Sequence, residues 1–328
     1  MIISRTPLRI SFFGGGTDYT EFYEQHGGEV LVTSIDKYSY ITIKSIPLLF
    51  DYKFKVSYSK LETVENVEDI QHPAVRECLK FMKVDHPLEI AYVGDLPART
   101  GLGTSSSFTV GLLNALYALQ KKKVSNEQLG NEAIYVEQKL IKERVGSQDQ
   151  MSTAVGGFNH IVFEKNKITI NPVKISGGRL NELHKNLLLF YTGITRHAHQ
   201  VVEEQVKNTK EKKNDDSLFQ MKAIVKKSID ILSSSKNIDD FGALLHETWK
   251  LKKTLSSSVS NSTIDEAYNK AMSAGALGGK LLGAGGGGFL LIYAPEKHHD
   301  KIKKALTDLR HVPFNFDDSG SRIIYSDK

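Results

Sequence analysis

The chain has 328 residues, 40% hydrophobic and 25% charged, with a formal net charge of +5 at pH 7. That balance excludes a disordered chain, and every apolar run falls short of the roughly 20 residues that a membrane-spanning helix needs. The modest positive charge gives no reason to expect nucleic acid or a membrane as partner, and it suits anionic ligands. A single cysteine, Cys78, excludes an intramolecular disulfide and a cysteine metal cluster. The opening "MIISRTPLRISFF" does not read as a secretory leader, so a reducing, cytoplasmic setting is expected.

In chain order, "LRISFF", "EVLVTSI", "YSYITIKSI" and "YKFKVSY" predict strands, the last two by their alternation of apolar and polar residues. "HPAVRECLKFMK" has helical spacing, and "LEIAYVG" is a strand leading into a glycine stretch. Helices are predicted over about 105–120 and 126–142, followed by a strand pair in "FNHIVFE" and "KITINPV". Turn residues at Lys174–Glu182 predict a boundary between two domains, 1–176 and 177–328, as the length also suggests. Beyond it come a short buried strand in "NLLLFYTG" and four helical segments between about Ala198 and Ala274. "GGKLLGAGGGGFLLIYA" is a glycine hinge between apolar strands, "EKHHDKIKKALTDLR" an amphipathic helix, and short strands close the chain. No internal repeat is present, and the lysine-rich "KNTKEKKNDD" reads as a solvated helix end or loop.

Three glycine clusters carry the chemistry. "PARTGLGTSSSF", Pro97 to Phe108, sets Gly101 and Gly103 at the mouth of a helix, with Thr104, Ser105, Ser106 and Ser107 behind them. It is neither a dinucleotide fingerprint nor a Walker loop, since the third glycine of one and the lysine of the other are missing. The physics of a phosphate cradle is nevertheless available. Glycines allow close backbone approach, and the first amides of a helix have no internal partner and favour an anion. A capped surface turn is the bland alternative. In "PLRISFFGGGTDY" three consecutive glycines follow a strand and precede Thr17 and Asp18, which suits a hydroxyl-rich ligand; a tight turn with a side-chain cap is the plain alternative. Between Gly279 and Gly288, six of ten residues are glycine, which a strand tolerates only where backbone or ligand packs closely.

The three clusters, in this order and over essentially the whole chain, resemble the three motifs of the GHMP kinases, the superfamily of galactokinase, homoserine kinase, mevalonate kinase and phosphomevalonate kinase. Within it, they and "HETWKLKKTLSSSVSN" are most similar to the D-glycero-D-manno-heptose 7-phosphate kinases. The resemblance implies an α+β fold of two domains: an N-terminal one like part of a ribosomal protein, with a left-handed crossover, and a ferredoxin-like C-terminal one. It implies ATP and Mg²⁺, with the nucleotide phosphates on Arg99, Gly101, Leu102, Gly103, Thr104, Ser105, Ser106 and Ser107. Ser105 and Glu137 match the family's metal-holding pair. Asp149, in "GSQDQM" twelve residues beyond Glu137, matches its catalytic aspartate, and Arg9 the basic residue of its first motif. Asp149 would take the proton of the attacking hydroxyl or orient it; Arg9 would hold Asp149 anionic and steady the transferring group.

For the acceptor, the resemblance implies Gly15, Gly16, Thr17, Asp18, Gly285 and Gly286. Galactokinases carry Gly-Glu-His-Thr-Asp where this chain has "GGGTD", so a different sugar floor is expected. The implied reaction is phosphorylation of heptose 7-phosphate at its anomeric oxygen, within nucleotide-activated heptose biosynthesis. Another sugar acceptor, such as fucose, and a catalytically silent sugar sensor are the alternatives. A phosphorylated sugar needs a second anion site, for which Arg196, beside His197, is the first candidate and Arg99 and Arg179 the others. Zinc is not expected at His197 and His199, which lack the required spacing. Trp249 is expected to pack in the core, and a homodimer is left open.

Overall fold

The computed structural model describes residues 1–194 and 198–327. Its first half runs β1 (Ile2–Phe13), α1 (Thr20–His26), β2 (Gly28–Ser45), β3 (Phe54–Ser57), β4 (Leu61–Val64), α2 (Pro73–Phe81), β5 (Leu88–Gly94), α3 (Thr104–Leu119), α4 (Asn126–Tyr135), α5 (Gln148–Val155), β6 (Phe158–Glu164) and β7 (Lys167–Pro172). The second half runs α6 (Gly177–Lys185), β8 (Leu187–Tyr191), α7 (Ala198–Lys210), α8 (Asp215–Ser233), α9 (Asp239–Thr254), α10 (Ser262–Ser273), β9 (Gly278–Leu281), β10 (Phe289–Tyr293), α11 (His299–Ala305), β11 (Arg310–His311), β12 (Phe316–Asp317) and β13 (Arg322–Ser326). The result is α+β with two sheets among the described residues. The larger follows the order β13-β1-β2-β5-β3-β4, with β12 and β6 also on β2 and β7 on β6; the smaller is β11-β8-β10-β9.

"EVLVTSI" and "YSYITIKSI" form a single strand, the 18-residue β2. The length serves two neighbours on one edge: β6 pairs with its first half and β5 with its second. α3 is apolar on nearly every side because it is enclosed; all residues from Ser106 to Leu116 are buried. Gly111 lets it approach β1, since a Cβ there would stand 2.8 Å from Thr6 Oγ1, and Ser4 Oγ donates to the Gly111 carbonyl at 2.7 Å.

Three expectations change. The helix predicted over 126–142 is α-helical only to Tyr135, then widens to a π turn over Val136–Leu140, with Ile141 N bonded to Val136 O at 2.9 Å. The supposed boundary at Lys174–Glu182 is largely α6, capped by Ser176, whose hydroxyl accepts from Arg179 N at 3.3 Å. The C-terminal strands do not stay with the second half. β13 pairs with β1 and β12 with β2, so residues past 316 complete the first sheet and a single cut at 176 does not separate the halves.

The halves also share a core. Leu8, Ile10, Phe12 and Phe13 of β1 pack with Phe241, Leu282, Phe289 and Leu291 in one buried cluster. Phe241 meets Phe12 and Phe13 edge-on, with centroids 5.3 and 4.9 Å apart. Each such side chain contributes about 2 kcal/mol by burial, so this seam is firm. Trp249 packs in the core of the second half at 1% exposure.

Candidate active site

All three glycine clusters meet at one pocket of about 640 Å³ on that seam. The phosphate-loop candidate starts α3. Gly103 takes the left-handed conformation (φ 75°) at the N-cap, and no side chain caps the helix, so its first turn faces the pocket without a protein acceptor from a cap. Arg99, Gly101, Gly103, Thr104 and Ser105 line the pocket. Gly101 lies against the third cluster: a Cβ there would stand 2.4 Å from the Leu282 carbonyl oxygen, and one on Gly283 would be 2.4 Å from Gly101 Cα. Two backbones in contact therefore require both glycines.

Asp149 sits in the first turn of α5 and faces Arg9 of β1. Arg9 Nε and Nη2 donate to its two carboxylate oxygens at 2.8 and 2.7 Å, while Nη1 donates to the Gly101 carbonyl at 2.6 Å. The arginine side chain is 3% exposed and the aspartate 27%. A fork of this kind fixes the carboxylate in orientation while leaving an edge open to the pocket.

Asp18 is buried behind the first cluster. It accepts from Gly16 N at 2.9 Å and Gln148 N at 3.4 Å, and its own carbonyl accepts from Ser147 N at 2.9 Å. Gly146 makes room for it, since a Cβ there would fall 1.9 Å from Asp18 Oδ2. The acceptor floor and the Asp149 segment are thus one unit. Burial raises the Asp18 pKa to about 6, against backbone donors that lower it and the charge of Asp149, which adds to the rise. Gly15, Gly16 and Asp18 line the pocket.

Glu137 lies on the π turn, 1% exposed. Its Oε2 accepts from Ser106 Oγ at 2.9 Å and from Gln150 Nε2, while Oε1 is buried with no hydrogen-bond partner. Burial lifts its pKa to about 7 despite lowering by hydroxyl and amide donors. A buried carboxylate with one bare oxygen beside a hydroxyl matches the oxygen donors that Mg²⁺ prefers. Among the described residues no three His, Cys, Asp or Glu side chains group as a metal site. An ion held by Glu137 would therefore draw its other ligands from hydroxyls, water and phosphate.

Several expected site residues stand elsewhere. Ser106, not Ser105, meets Glu137; Ser105 is exposed at the helix mouth and lines the pocket, whose lining does not include Ser106 or Glu137. The first turn of a helix points successive side chains about 100° apart, which turns Ser106 toward Glu137 and Ser105 outward. Ser107 is buried on Ser39 Oγ at 2.7 Å and the Thr104 carbonyl at 3.0 Å. Leu102 is a core residue whose carbonyl accepts from Arg9 N at 3.0 Å. The Thr17 hydroxyl is taken by the Gly14 and Glu29 carbonyls at 2.8 and 2.9 Å, so it braces the turn rather than meeting a ligand. Gly285 lines the pocket, but Gly286 N donates to the Val259 carbonyl at 2.9 Å. Arg179 binds Glu182 and the Ile231 carbonyl, away from this pocket. Arg196 and His197 lie outside the described residues.

Lys252 and Lys280, neither among the expected site residues, both line the pocket. Lys252 repeats the helical stripe of Leu245, Thr248 and Trp249, all buried on α9. That spacing was the available signal, hidden by its neighbours Lys250 and Lys253, which read as a solvated face.

The family described as the GHMP kinases N terminal domain matches residues 70–157, and the GHMP kinases C terminal family matches 221–310. The chain is 29% identical to a D-glycero-alpha-D-manno-heptose 7-phosphate kinase of Campylobacter jejuni, over 97% of each protein. It is 26% identical to a bifunctional fucokinase/GDP-fucose pyrophosphorylase of Arabidopsis thaliana, over 94% of this chain but 31% of that protein. Among solved structures, a D-glycero-D-manno-heptose 1-phosphate kinase from Bacteroides thetaiotaomicron superposes with a TM-score of 0.74 at 24% identity, covering 99% of this chain and 100% of that one. A Streptococcus pneumoniae phosphomevalonate kinase in complex with phosphomevalonate and AMPPNP superposes with 0.76 at 16% identity, over 96% and 100%. At those identities the superpositions speak for the fold. Together with a bare helix mouth, an arginine-held aspartate and both family domains, they lead to one conclusion: the chain belongs to the GHMP kinases and is an ATP-dependent sugar kinase of that family.

Proposed function

We infer that the protein transfers the γ-phosphoryl group of ATP to the anomeric hydroxyl of D-glycero-D-manno-heptose 7-phosphate, giving the 1,7-bisphosphate and ADP. The observation that carries the chemistry is the Arg9–Asp149 fork beside the α3 mouth. The acceptor rests on the Campylobacter relative, similar along its full length.

In this reading the open edge of Asp149 takes or orients the proton of the attacking oxygen, and Arg9 holds the carboxylate in place. Bare amides at the start of α3 and the Gly101–Gly103 turn hold the phosphate tail. Asp18 accepts from sugar hydroxyls, and the Gly15 backbone donates to them. Glu137 with Ser106 would hold Mg²⁺, which neutralises phosphate charge when bound. ATP with a panel of sugars, followed by ³¹P NMR of the products, tests the assignment. Turnover of heptose 7-phosphate with a new anomeric phosphate is expected, and turnover confined to unphosphorylated sugars would overturn it. The fucokinase relatives favour a second reading, a 1-kinase for a free sugar, which the same panel separates.

A further inference from the structure

Lys252 and Lys280 are the least explained charges in the molecule. They are 6% and 2% exposed, and both line the pocket. Lys252 Nζ on α9 donates to the Leu281 carbonyl at 2.8 Å and to the Gly283 carbonyl. Lys280 Nζ on β9 donates to the Ser11 and Phe12 carbonyls of β1 at 3.0 and 2.9 Å. Among the described residues neither ammonium has a carboxylate in ion-pair contact. Each feels the other side of the same cationic cluster: Lys252 is disfavoured by Lys280 and Arg9, Lys280 by Arg9, and only Asp18 offers either a compensating charge. Burial drives both pKa values down, that of Lys280 to about 7.

Burying two like charges together is costly and opposes folding unless an anion joins them. The carbonyls use two of the three donors of each ammonium, leaving one on each for such an anion. The nucleotide tail already has its own donors, at the α3 mouth. The lysines come from the C-terminal half, on α9 and β9, and both feel the charge of Asp18, which belongs to the acceptor floor. A neutral sugar would offer nothing to offset their burial.

We propose that Lys252 and Lys280 form an anion subsite at the seam of the two halves, and that it takes the phosphate monoester carried by the acceptor. The inference rests on the phosphorylated-acceptor reading above. It moves the second anion site from Arg196, Arg99 and Arg179 to two buried lysines.

The test compares kcat/KM for heptose 7-phosphate with that for unphosphorylated heptose, in the wild type and in Lys252→Met. The wild type should favour the phosphorylated sugar; no preference at all would overturn the acceptor reading itself. With that preference in hand, Lys252→Met should reduce the ratio about 100-fold, as removal of one buried charge partner does. A retained ratio would overturn the subsite. Equal losses on both sugars with a raised KM for ATP would overturn it too, by assigning the lysine to the nucleotide's phosphate. A second measurement needs no variant: inorganic phosphate should inhibit the wild type competitively against heptose 7-phosphate. Competition against ATP alone would sink the proposal.

Discussion

Two carboxylates flank the start of α3, and their surroundings are opposite. Asp149 is partly exposed and gripped by a buried guanidinium that supplies a full positive charge. Glu137 is enclosed, meets only neutral donors and keeps one oxygen bare. The first environment holds its carboxylate by a charged fork; the second encloses a carboxylate whose charge burial disfavours until a cation arrives. Residues twelve apart in the chain are thereby given different work by burial and neighbours alone.

The comparison breaks most severely at Asp149. Asp149→Asn keeps the shape but loses both charge and basicity, and kcat should fall by about 10³-fold or more with KM for ATP little changed. Near-normal turnover would remove the residue from the mechanism. Arg9→Met should cost a similar factor, and the double variant little beyond either one, because the two act as a unit. Additive losses in that cycle would mean that the arginine works independently of the carboxylate.

Glu137→Gln should act through the metal instead. The Mg²⁺ concentration for half-maximal activity should rise about 10- to 100-fold, read by titrating Mg²⁺ at saturating ATP. An unchanged titration would leave Glu137 a purely structural group. Stability sharpens the same contrast. The folded-state pKa of Glu137 is raised, from 4.5 to about 7, so the native state binds this proton more tightly than the unfolded chain does. Stability linked to it is fully present below about pH 4.5 and is lost as pH rises toward 7, by about 3 kcal/mol in all. Melting curves between pH 5 and 8 should show Glu137→Gln losing less stability than the wild type across this window. Mg²⁺ should restore the wild type most at the alkaline end. Parallel curves for the two proteins would refute the assignment.

The smallest effect separates the two serines. Ser106→Ala should raise the Mg²⁺ requirement several-fold more than Ser105→Ala, since of these two serines Ser106 donates to Glu137. The reverse order would return the metal to Ser105.

The glycine clusters were legible because close backbone contact leaves a compositional mark: Gly101 and Gly283 touch in space and no other residue fits at either. Arg9, Asp18 and Asp149 followed from the motifs that contain them. The continuity of β2 and the return of β12 and β13 to the first sheet were not legible, since pairing between segments distant in the chain leaves no local pattern. Thr17 and Ser107 look like ligand hydroxyls in sequence, yet their local backbones take their hydrogen bonds first.

By itself the sequence determined that helices and strands alternate around glycine-rich turns, that glycines and hydroxyls stand at the mouth of α3, and which carboxylates lie near it in the chain. Periodicity and residue type act over a few positions, and these features are of that range. Only the folded chain decided that Ser106 faces inward and that Glu137 carries an orphaned oxygen. It also decided that Lys252 and Lys280, ordinary in sequence, are buried at the same pocket. Desolvation and charge pairing depend on neighbours brought from distant segments, and tertiary packing alone supplies those neighbours.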